Sequence, residues 1–406
     1  MQKVNYSFGI GDRFGREGKA QLRAIQEINR IGFPVNPVWN KSNREHELVG
    51  TTQEAVRQEA DEAVRANGWD GNYFVDADHI TMDNVDRFID FSDFFTIDVA
   101  GSIGKPAEAK LKADFLRRTV TTGIPGFSEE AEKYDMALFA DMYLTAIQEV
   151  KRLYDYITGK KPGVIIEISM DEVASAQSPL DLYFILKELK HLNIEPHTIA
   201  PKFTGLFPKG VDYEGDIEGF AHEFEQDIRI LKIVKEQLEF DHDIRLSIHS
   251  GSDKFSIYPV IREIIMKNGC GIHIKTAGTT WLEEVIGLAR GGGDGLRLAK
   301  EIYCQGISRF DELAGPYSSV LHIDHKKLPP PKEVLSWNSA RLSKTLIHDQ
   351  SCREYNPHFR QLVHISYKVA AEMGMEFMDA LDHYRGPIEE QVYTNLYDRH
   401  LRRIFR

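Results

Sequence analysis

The clearest candidates for chemistry follow an apolar run near residue 75. In the segment Tyr73–His79, the carboxylates of Asp76 and Asp78 and the imidazole of His79 come directly after apolar residues. Such donors suit a divalent cation, and a neighbouring carboxylate suits a general base. Acidic residues also favour helix starts, and a helical pattern begins at Asp83. The segment therefore predicts either a metal site with a base or a helix cap.

A second candidate is His249, at the end of the alternating candidate strand Arg245–His249. Alternation along a strand places this imidazole on an inward face. The hydroxyls of Ser250 and Ser252 and the ammonium of Lys254 follow, around a glycine that would let the backbone approach an oxyanion. We predict His249 as a metal ligand and these three residues as substrate-binding groups, although a histidine at such a position is often a satisfied core residue.

Charged residues end three further apolar runs. Glu167 shares a strand face with Asp171 and needs a cation if it is buried. Lys202 and Lys275 can be that partner or can clamp an anionic substrate. His273 lies one pleat deeper than Lys275, which favours a structural role, although it could replace one of the metal ligands.

One more histidine lies far along the chain, in the short apolar piece Val320–Ile323. Alternation puts His322 and Asp324 on one face of a strand-like segment. His322 could complete a metal site from a segment that caps the other candidates. An exposed edge carrying two histidines is the competing interpretation.

These residues follow short apolar runs that alternate with helical patterns, and we count eight such units. The runs are Val4–Gly9, Val35–Trp39, Asn72–Val75, Phe94–Val99, Val164–Ser169, His197–Lys202, Ile244–His249 and Gly271–Thr276. Eight βα units predict an α/β fold of the TIM-like (β/α)8 barrel type, whose reactive groups sit at the carboxyl ends of the strands. A doubly wound open sheet is the alternative.

Two stretches of the chain are additional to the eight βα units of a plain barrel. Residues 101–162 predict a helical insertion between the fourth and fifth strands, and residues 317–406 predict a C-terminal helical extension packed on a barrel of residues 1–316. Aromatic residues of the extension could mediate a homo-oligomer or complete the core of the monomer. They are Trp337, Tyr355, Tyr393 and Tyr397.

Composition limits the classes of partner and compartment. With 406 residues, 42% hydrophobic and 28% charged, the chain is of ordinary globular type. A net charge of -12 disfavours nucleic acid or an anionic membrane as a partner. No signal peptide or membrane span is evident, and three cysteines form no CxxC pair, so we expect a cytoplasmic protein. No glycine-rich segment has a full dinucleotide or Walker fingerprint.

Four blocks together resemble the tagaturonate epimerase family, also called tagaturonate/fructuronate epimerases, some of whose relatives act on the neutral sugar tagatose. The blocks are Phe74–Ile80, His249–Pro259, His273–Thr279 and His322–Asp324. The resemblance implies a metal-dependent inversion of one carbinol centre in a six-carbon keto-sugar acid, within hexuronate breakdown. It implies Zn²⁺, Mn²⁺ or Ni²⁺ bound by His79, His249 and His322, with Asp78 as base.

The chemistry of that inversion adds a constraint. The inverted carbon lies β to the ketone, so its hydrogen is not acidified and a single base cannot simply remove it. Retro-aldol cleavage and re-addition is the expected route, with Asp78 taking the carbinol proton and Glu167 or Glu172 returning one. Alternatives are a 4-epimerase of neutral ketohexoses, a metal-dependent aldolase, a hydride-shift isomerase and a non-catalytic sugar-acid binding protein.

Overall fold

Eight parallel strands form a closed barrel in the computed structural model, which describes residues 5–119, 123–171, 173, 175–276, 279–317 and 320–406. The strands are β1 (Tyr6–Ile10), β2 (Val35–Ser42), β3 (Phe74–Ile80), β4 (Phe94–Asp98), β5 (Ile165–Ser169), β6 (Thr198–Ala200), β7 (Arg245–His249) and β8 (Ile272–Lys275). Each strand pairs with its neighbour in sequence, and β1 pairs with β8. The predicted (β/α)8 barrel is therefore confirmed, and the open-sheet alternative is wrong.

Helices surround the barrel and continue beyond it. They are α1 (Gly18–Arg30), α2 (Asn43–Val49), α3 (Gln53–Asn67), α4 (Ala109–Arg118), α5 (Ser128–Glu132), α6 (Met136–Lys160), α7 (Pro179–His191), α8 (Ile217–Leu238), α9 (Tyr258–Asn268), α10 (Thr279–Gly291), α11 (Gly293–Ser308), α12 (Phe310–Ala314), α13 (Pro331–Leu335), α14 (Ser339–Leu346), α15 (Pro357–Ile365), α16 (Tyr367–Glu372), α17 (Met375–His383), α18 (Arg385–Thr394) and α19 (Arg402–Phe405). Short 3₁₀ turns occupy Val85–Arg87, Ala100–Ser102, Gly315–Tyr317 and His325–Lys327, and Asn395–Leu401 is π-helical.

The inside of the barrel changes from apolar to polar along the strands. Val38, Phe94 and Ile165 form a small apolar cluster with Phe74, apart from the main core. Two residues further along their strands, these positions give way to Asn40, Asp76, Thr96 and Glu167. Because side chains alternate in a strand, all of these residues share the inward face. The barrel thus has an apolar floor and a polar mouth at the carboxyl ends of its strands.

The third strand differs from its predicted form. It extends to Ile80 rather than ending at Val75, and its pairing with β4 shifts between Ala77 and Ile80. His79 has φ of 53°, a left-handed conformation that is uncommon for a residue with a side chain. A bulge in a strand redirects a side chain and is common beside active sites. Asp78 is therefore a strand residue, and the helix-cap interpretation is wrong.

The insertion and the extension are helical as predicted. Helices α4, α5 and α6 lie between β4 and β5. The C-terminal helices form a second hydrophobic cluster, which also takes in Trp281 and its neighbours on α10. The last residues of the chain, including Phe405, pack in the hydrophobic cluster of the barrel. The division between residues 316 and 317 stays a prediction, whereas the strand-like segment at Val320–Ile323 has no strand structure.

Aromatic residues considered for an interface pack within the chain itself. Trp337 belongs to the second hydrophobic cluster, and Tyr393 and Tyr397 stack with ring centroids 5.5 Å apart against the barrel cluster. This packing fits the completion of the monomer's core, and a homo-oligomer stays a prediction. Across the described residues, no helix is long and apolar enough to cross a membrane.

Candidate active site

Three side chains from separate parts of the chain meet at the mouth of the barrel. His79 comes from the bulge in β3, His249 from the end of β7, and Asp171 from the segment that follows β5. One ligand atom from each lies within 4.8 Å of the other two. Asp171 Oδ1 is 3.2 Å from His249 Nδ1 and 3.8 Å from His79 Nε2. Two imidazoles and a carboxylate are a donor set that divalent transition metals favour.

The distal side of each ring is held by another carboxylate. His79 Nδ1 lies 2.8 Å from Asp78 Oδ1, and His249 Nε2 lies 2.8 Å from Glu167 Oε1. Such contacts fix the tautomer and orientation of metal-binding histidines. His249 Nδ1, which faces Asp171, is buried and has no hydrogen-bond partner of good geometry. A ring nitrogen that has no hydrogen-bond partner and faces a carboxylate is consistent with a cation bound between His249 and Asp171.

Lys275 joins the acidic groups beneath this cluster. Its ammonium lies 2.7 Å from Asp76, 2.7 Å from Asp78 and 3.3 Å from Glu167, and donates to Thr96 Oγ1 at 2.6 Å. The Lys275 side chain passes Gly9 on β1, where an added Cβ would lie 3.0 Å from Lys275 Cγ. One ammonium therefore bridges three buried carboxylates.

The pKa values of these groups follow from burial and from their partners. Burial would lower the pKa of Lys275, but the carboxylates of Asp76 and Asp78 hold it well above its usual range. Burial raises the pKa of Asp76 to about 7 despite the contact with Lys275. Burial opposes ionisation of Glu167, yet Lys275 and His249 keep its pKa well below the usual range. For Asp78, Lys275 and His79 outweigh burial and lower the pKa.

The pKa of the His249 imidazole is shifted in the opposite direction to that of a typical buried histidine. Burial alone would lower its pKa, but the carboxylates of Asp171 and Glu167 raise the pKa to about 9. The site therefore concentrates negative charge around its rings. Such a site favours a cation, whether that cation is a proton or a metal ion.

Comparison with known proteins places this arrangement in a family. The model of the UxaE family, tagaturonate epimerase, matches residues 1–403. The chain belongs to the tagaturonate epimerase family. The resemblance seen in four sequence blocks is thus confirmed over nearly the whole chain.

Individual proteins of known sequence or structure are also similar to this chain. A tagaturonate/fructuronate epimerase of Thermotoga maritima is 29% identical over 377 residues, which cover 89% of this chain and 72% of the relative. The native crystal structure of a fructuronate-tagaturonate epimerase of Cohnella laeviribosi has a TM-score of 0.79 at 24% identity, covering 99% of this chain and 81% of that one. A probable tagatose 6 phosphate kinase of Sinorhizobium meliloti shares the fold, with a TM-score of 0.54 at 11% identity over 99% of this chain and 100% of that one.

Within this member of the tagaturonate epimerase family, the predicted third ligand is not at the cluster. His322 is exposed, and its Nδ1 lies 2.9 Å from Glu214 Oε2. The segment around His322 is irregular, and the His322 N–H donates a hydrogen bond to Gln361 Oε1. The structure therefore replaces His322 with Asp171 in the candidate metal site. The sequence had placed Asp171 on the face of Glu167 but had assigned it no ligand role.

Three predicted substrate-binding side chains point into the protein instead. Ser250 Oγ donates to the Lys275 carbonyl at 2.8 Å, and Ser252 Oγ accepts from the Gly210 N–H at 2.9 Å. Lys254 Nζ donates to the carbonyls of Pro208 and Val211. Each of the three side chains is fully buried. Their role as substrate contacts is corrected, because these groups hold the β7–α9 loop to its neighbours.

The remaining candidates have mixed outcomes. Lys202 is half-buried after β6, and its ammonium has no partner among the described residues, so a substrate contact stays a prediction. Glu172 lies outside the described residues. His273 is buried with its Nδ1 2.8 Å from Ser7 Oγ, which fits the structural role. Sequence reasoning assigned no role to Asn40 in β2, whose two amide atoms are buried in the mouth and have no hydrogen-bond partner among the described residues.

Proposed function

We propose that this protein interconverts tagaturonate and fructuronate by a metal-dependent retro-aldol and aldol sequence. Family membership and the relative from Thermotoga maritima support the substrate pair. The convergence of His79, Asp171 and His249 at the barrel mouth carries the metal requirement. The proposed ion is Zn²⁺, Mn²⁺ or Ni²⁺, all of which accept imidazole and carboxylate ligands.

Bond cleavage follows from the position of the inverted centre. The carbon that changes configuration lies β to the ketone, so its C–H bond is not acidified. Removal of its hydroxyl proton allows the bond between the α and β carbons to break. The electron pair of that bond passes to the ketone and forms an enediolate, while the β carbon becomes an aldehyde. Rotation of the aldehyde and re-addition to its other face restore all atoms with the opposite configuration.

The candidate metal ligands suit the electron-accepting end of this reaction. An ion held by His79, Asp171 and His249 would act as a Lewis acid toward the ketone and favour the negative charge that develops there. Lys275 adds a fixed positive charge beneath the same point through its contacts with Asp78 and Glu167.

Asp78 is the proposed acceptor of the hydroxyl proton. It is nearly buried at the mouth, and its contacts with Lys275 and His79 keep it ionised. An ionised carboxylate at this position can accept a proton, and Lys275 then stays paired with Asp76 and Glu167. Glu167 and Glu172 remain the proposed groups that return a proton.

Parallel incubation with tagaturonate, fructuronate, tagatose and fructose tests the proposed reaction. We expect interconversion of the two acids, loss of activity on chelation, and recovery on addition of Mn²⁺, Zn²⁺ or Ni²⁺. Faster turnover of the neutral sugars would favour the ketohexose alternative, and net accumulation of three-carbon products would favour an aldolase. A metal-free protein with full activity would refute the metal requirement.

The role of Asp78 has its own test. Asp78→Asn removes the acceptor while keeping the shape of the side chain, so bound metal should be retained and kcat should fall by about 100-fold or more. Metal content and kcat measured on one preparation separate the two effects. Wild-type turnover in this variant would restrict Asp78 to orienting His79.

We also propose that the protein acts in the cytoplasm. Cys270, Cys304 and Cys352 are unpaired, which fits a reducing compartment. Fractionation of the native cell tests this location, and recovery of the activity outside the cytoplasmic fraction would contradict it.

A further inference from the structure

Lys209, in the loop between β6 and α8, is a cation that the candidate site does not use. Its backbone N–H donates to the Val320 carbonyl at 2.9 Å, which holds this part of the loop in place. The side chain is half-buried, and among the described residues its ammonium has neither a hydrogen bond nor an ion pair. A held but unmatched ammonium is a suitable partner for an anionic ligand.

The Lys209 side chain lies against the loop that continues from His249. A Cβ atom added to Gly251 would lie 3.6 Å from both Lys209 Cδ and Lys209 Nζ. Gly251 has φ of +65° and is partly exposed, while Ser250 and Ser252 on either side of it are fully buried. Two Cα–Cα steps of about 3.8 Å each separate Gly251 from His249, so the loop beside the ammonium begins at the candidate metal site.

A backbone donor lies in the same part of the loop. The Gly251 N–H donates to no acceptor in the part of the chain that the structure describes, and Gly251 is partly exposed, whereas Ser252 and Asp253 are fully buried. A backbone N–H at a residue with positive φ can contribute to an anion-binding site. The loop therefore offers the Gly251 backbone, rather than the side chains of Ser250 and Ser252, to a ligand.

Two nearby arginines are already matched by carboxylates, whereas Lys209, like Lys202, has no partner among the described residues. Arg13 donates to Glu45 at 2.9 Å, and Arg360 donates to Asp253 at 2.8 Å. His364 is buried beside Gly210 and its Nδ1 has no partner. Burial, together with the charges of Arg13 and Lys209, keeps the pKa of His364 well below its usual range, so its ring is neutral. The local charge balance lacks an anion at Lys209.

We propose that Lys209 and the backbone N–H group of Gly251 bind the carboxylate of the substrate. This inference rests on the proposed function, because a hexulosonate carries its carboxylate four carbon–carbon bonds from its ketone. With the ketone at His79, Asp171 and His249, the acid end extends along the loop after β7. The three-carbon aldehyde formed by cleavage carries the carboxylate, so Lys209 holds this fragment while its carbonyl face turns.

Lys209→Met tests the carboxylate contact because it removes the charge and keeps an apolar stem. We expect KM for tagaturonate to rise by about 10- to 100-fold, the usual range for losing a charged hydrogen bond. Metal content should stay unchanged, and Lys209→Arg should recover part of the affinity. Lys232→Met is the matched control, because Lys232 is exposed on α8 and contacts only Asn268 among the described residues.

Two further measurements separate ligand binding from folding. Glycerate carries the carboxylate end of the substrate, so it should inhibit the wild type competitively and lose potency in Lys209→Met, whereas glycerol should inhibit neither. The variant should also release more three-carbon aldehyde per epimerisation, because the fragment is no longer held. Unchanged KM, glycerate inhibition and aldehyde release in Lys209→Met would overturn the inference. A wild type that binds glycerate through Lys209 but does not epimerise the acids would refute the proposed function alone.

Discussion

At the residue scale, the charge of the barrel mouth separates the two ends of the substrate. Lys275 neutralises only part of the charge of Asp76, Asp78 and Glu167. When both rings are neutral, as metal binding requires, the carboxylates of Asp78, Glu167 and Asp171 outnumber the ammonium of Lys275 even with Asp76 protonated. An acidic mouth attracts a metal cation and repels a carboxylate. The acid end of a sugar acid is therefore expected at Lys209 rather than beside Asp78.

The identity of the third metal ligand gives a prediction at this scale. Asp171→Asn weakens the charge at the cluster and should lower metal affinity by about 10- to 100-fold, in the range seen when charged contacts at metal sites are lost. His322→Ala should leave metal affinity unchanged, because His322 is exposed and paired with Glu214. Metal titration followed by mass spectrometry of the bound metal measures both variants. Loss of metal in His322→Ala but not in Asp171→Asn would favour the ligands expected from the sequence, His79, His249 and His322.

Single-residue signals located two of the three residues that we propose as metal ligands. His79 and His249 each follow an apolar run, so the sequence shows that both reach the barrel mouth. Asp171 lies two residues beyond the end of β5, where alternation no longer determines direction. Lys209 lies in an irregular loop, and its proximity to Gly251 is evident only from the three-dimensional structure. Groups placed by loops depend on tertiary contacts that periodicity does not encode.

At the element scale, strand positions could be predicted because burial on both faces makes each parallel strand a continuous apolar run. The bulge in β3 could not, because the left-handed conformation of His79 depends on the shifted register with β4. The helix expected from Asp83 is reduced to a 3₁₀ turn at Val85–Arg87. The strands thus follow from local composition, whereas their irregularities follow from pairing.

Helix packing in the extension depends on a missing side chain at Gly287. This residue lies in α10, and an added Cβ would lie 2.6 Å from Ile388 Cα on α18. We expect Gly287→Ala to cost about 1–3 kcal/mol of stability, since neither backbone can move freely. Gly159→Ala is the matched control, because Gly159 near the end of α6 has no neighbour within 4 Å and alanine favours helices by up to about 1 kcal/mol. Urea unfolding midpoints that shift equally in both variants would contradict this account.

At the scale of the whole molecule, a buried aspartate joins the catalytic barrel to the C-terminal helices. Asp253, in the β7–α9 loop, accepts from Arg360 Nη2 at 2.8 Å and from His400 Nε2 at 2.9 Å, and it lies 3.2 Å from His348 Nδ1. Asp253 and Arg360 are fully buried. The extension therefore supports the loop that carries both His249 and the proposed carboxylate site.

This connection predicts a pH-dependent loss of stability in Asp253→Asn. Burial would raise the pKa of Asp253, but Arg360 and the two histidines hold it well below its usual range. A carboxyl with a lowered folded pKa contributes stability above its unfolded pKa of about 3.9, and this stability is lost as the pH falls through the folded pKa. At pH 7 the variant removes the nearest carboxylate from buried Arg360 and leaves only Glu283 at 3.8 Å, which costs up to about 3–5 kcal/mol. Calorimetry should show a large fall in the Tm of Asp253→Asn at pH 7 and a smaller difference from the wild type below about pH 3. The control is Asp294→Asn, because Asp294 forms an exposed ion pair with Arg297. Its Tm should stay close to that of the wild type at both pH values. An equal Tm difference at both pH values would mean that Asp253 stabilises the interface by its shape and not by its charge.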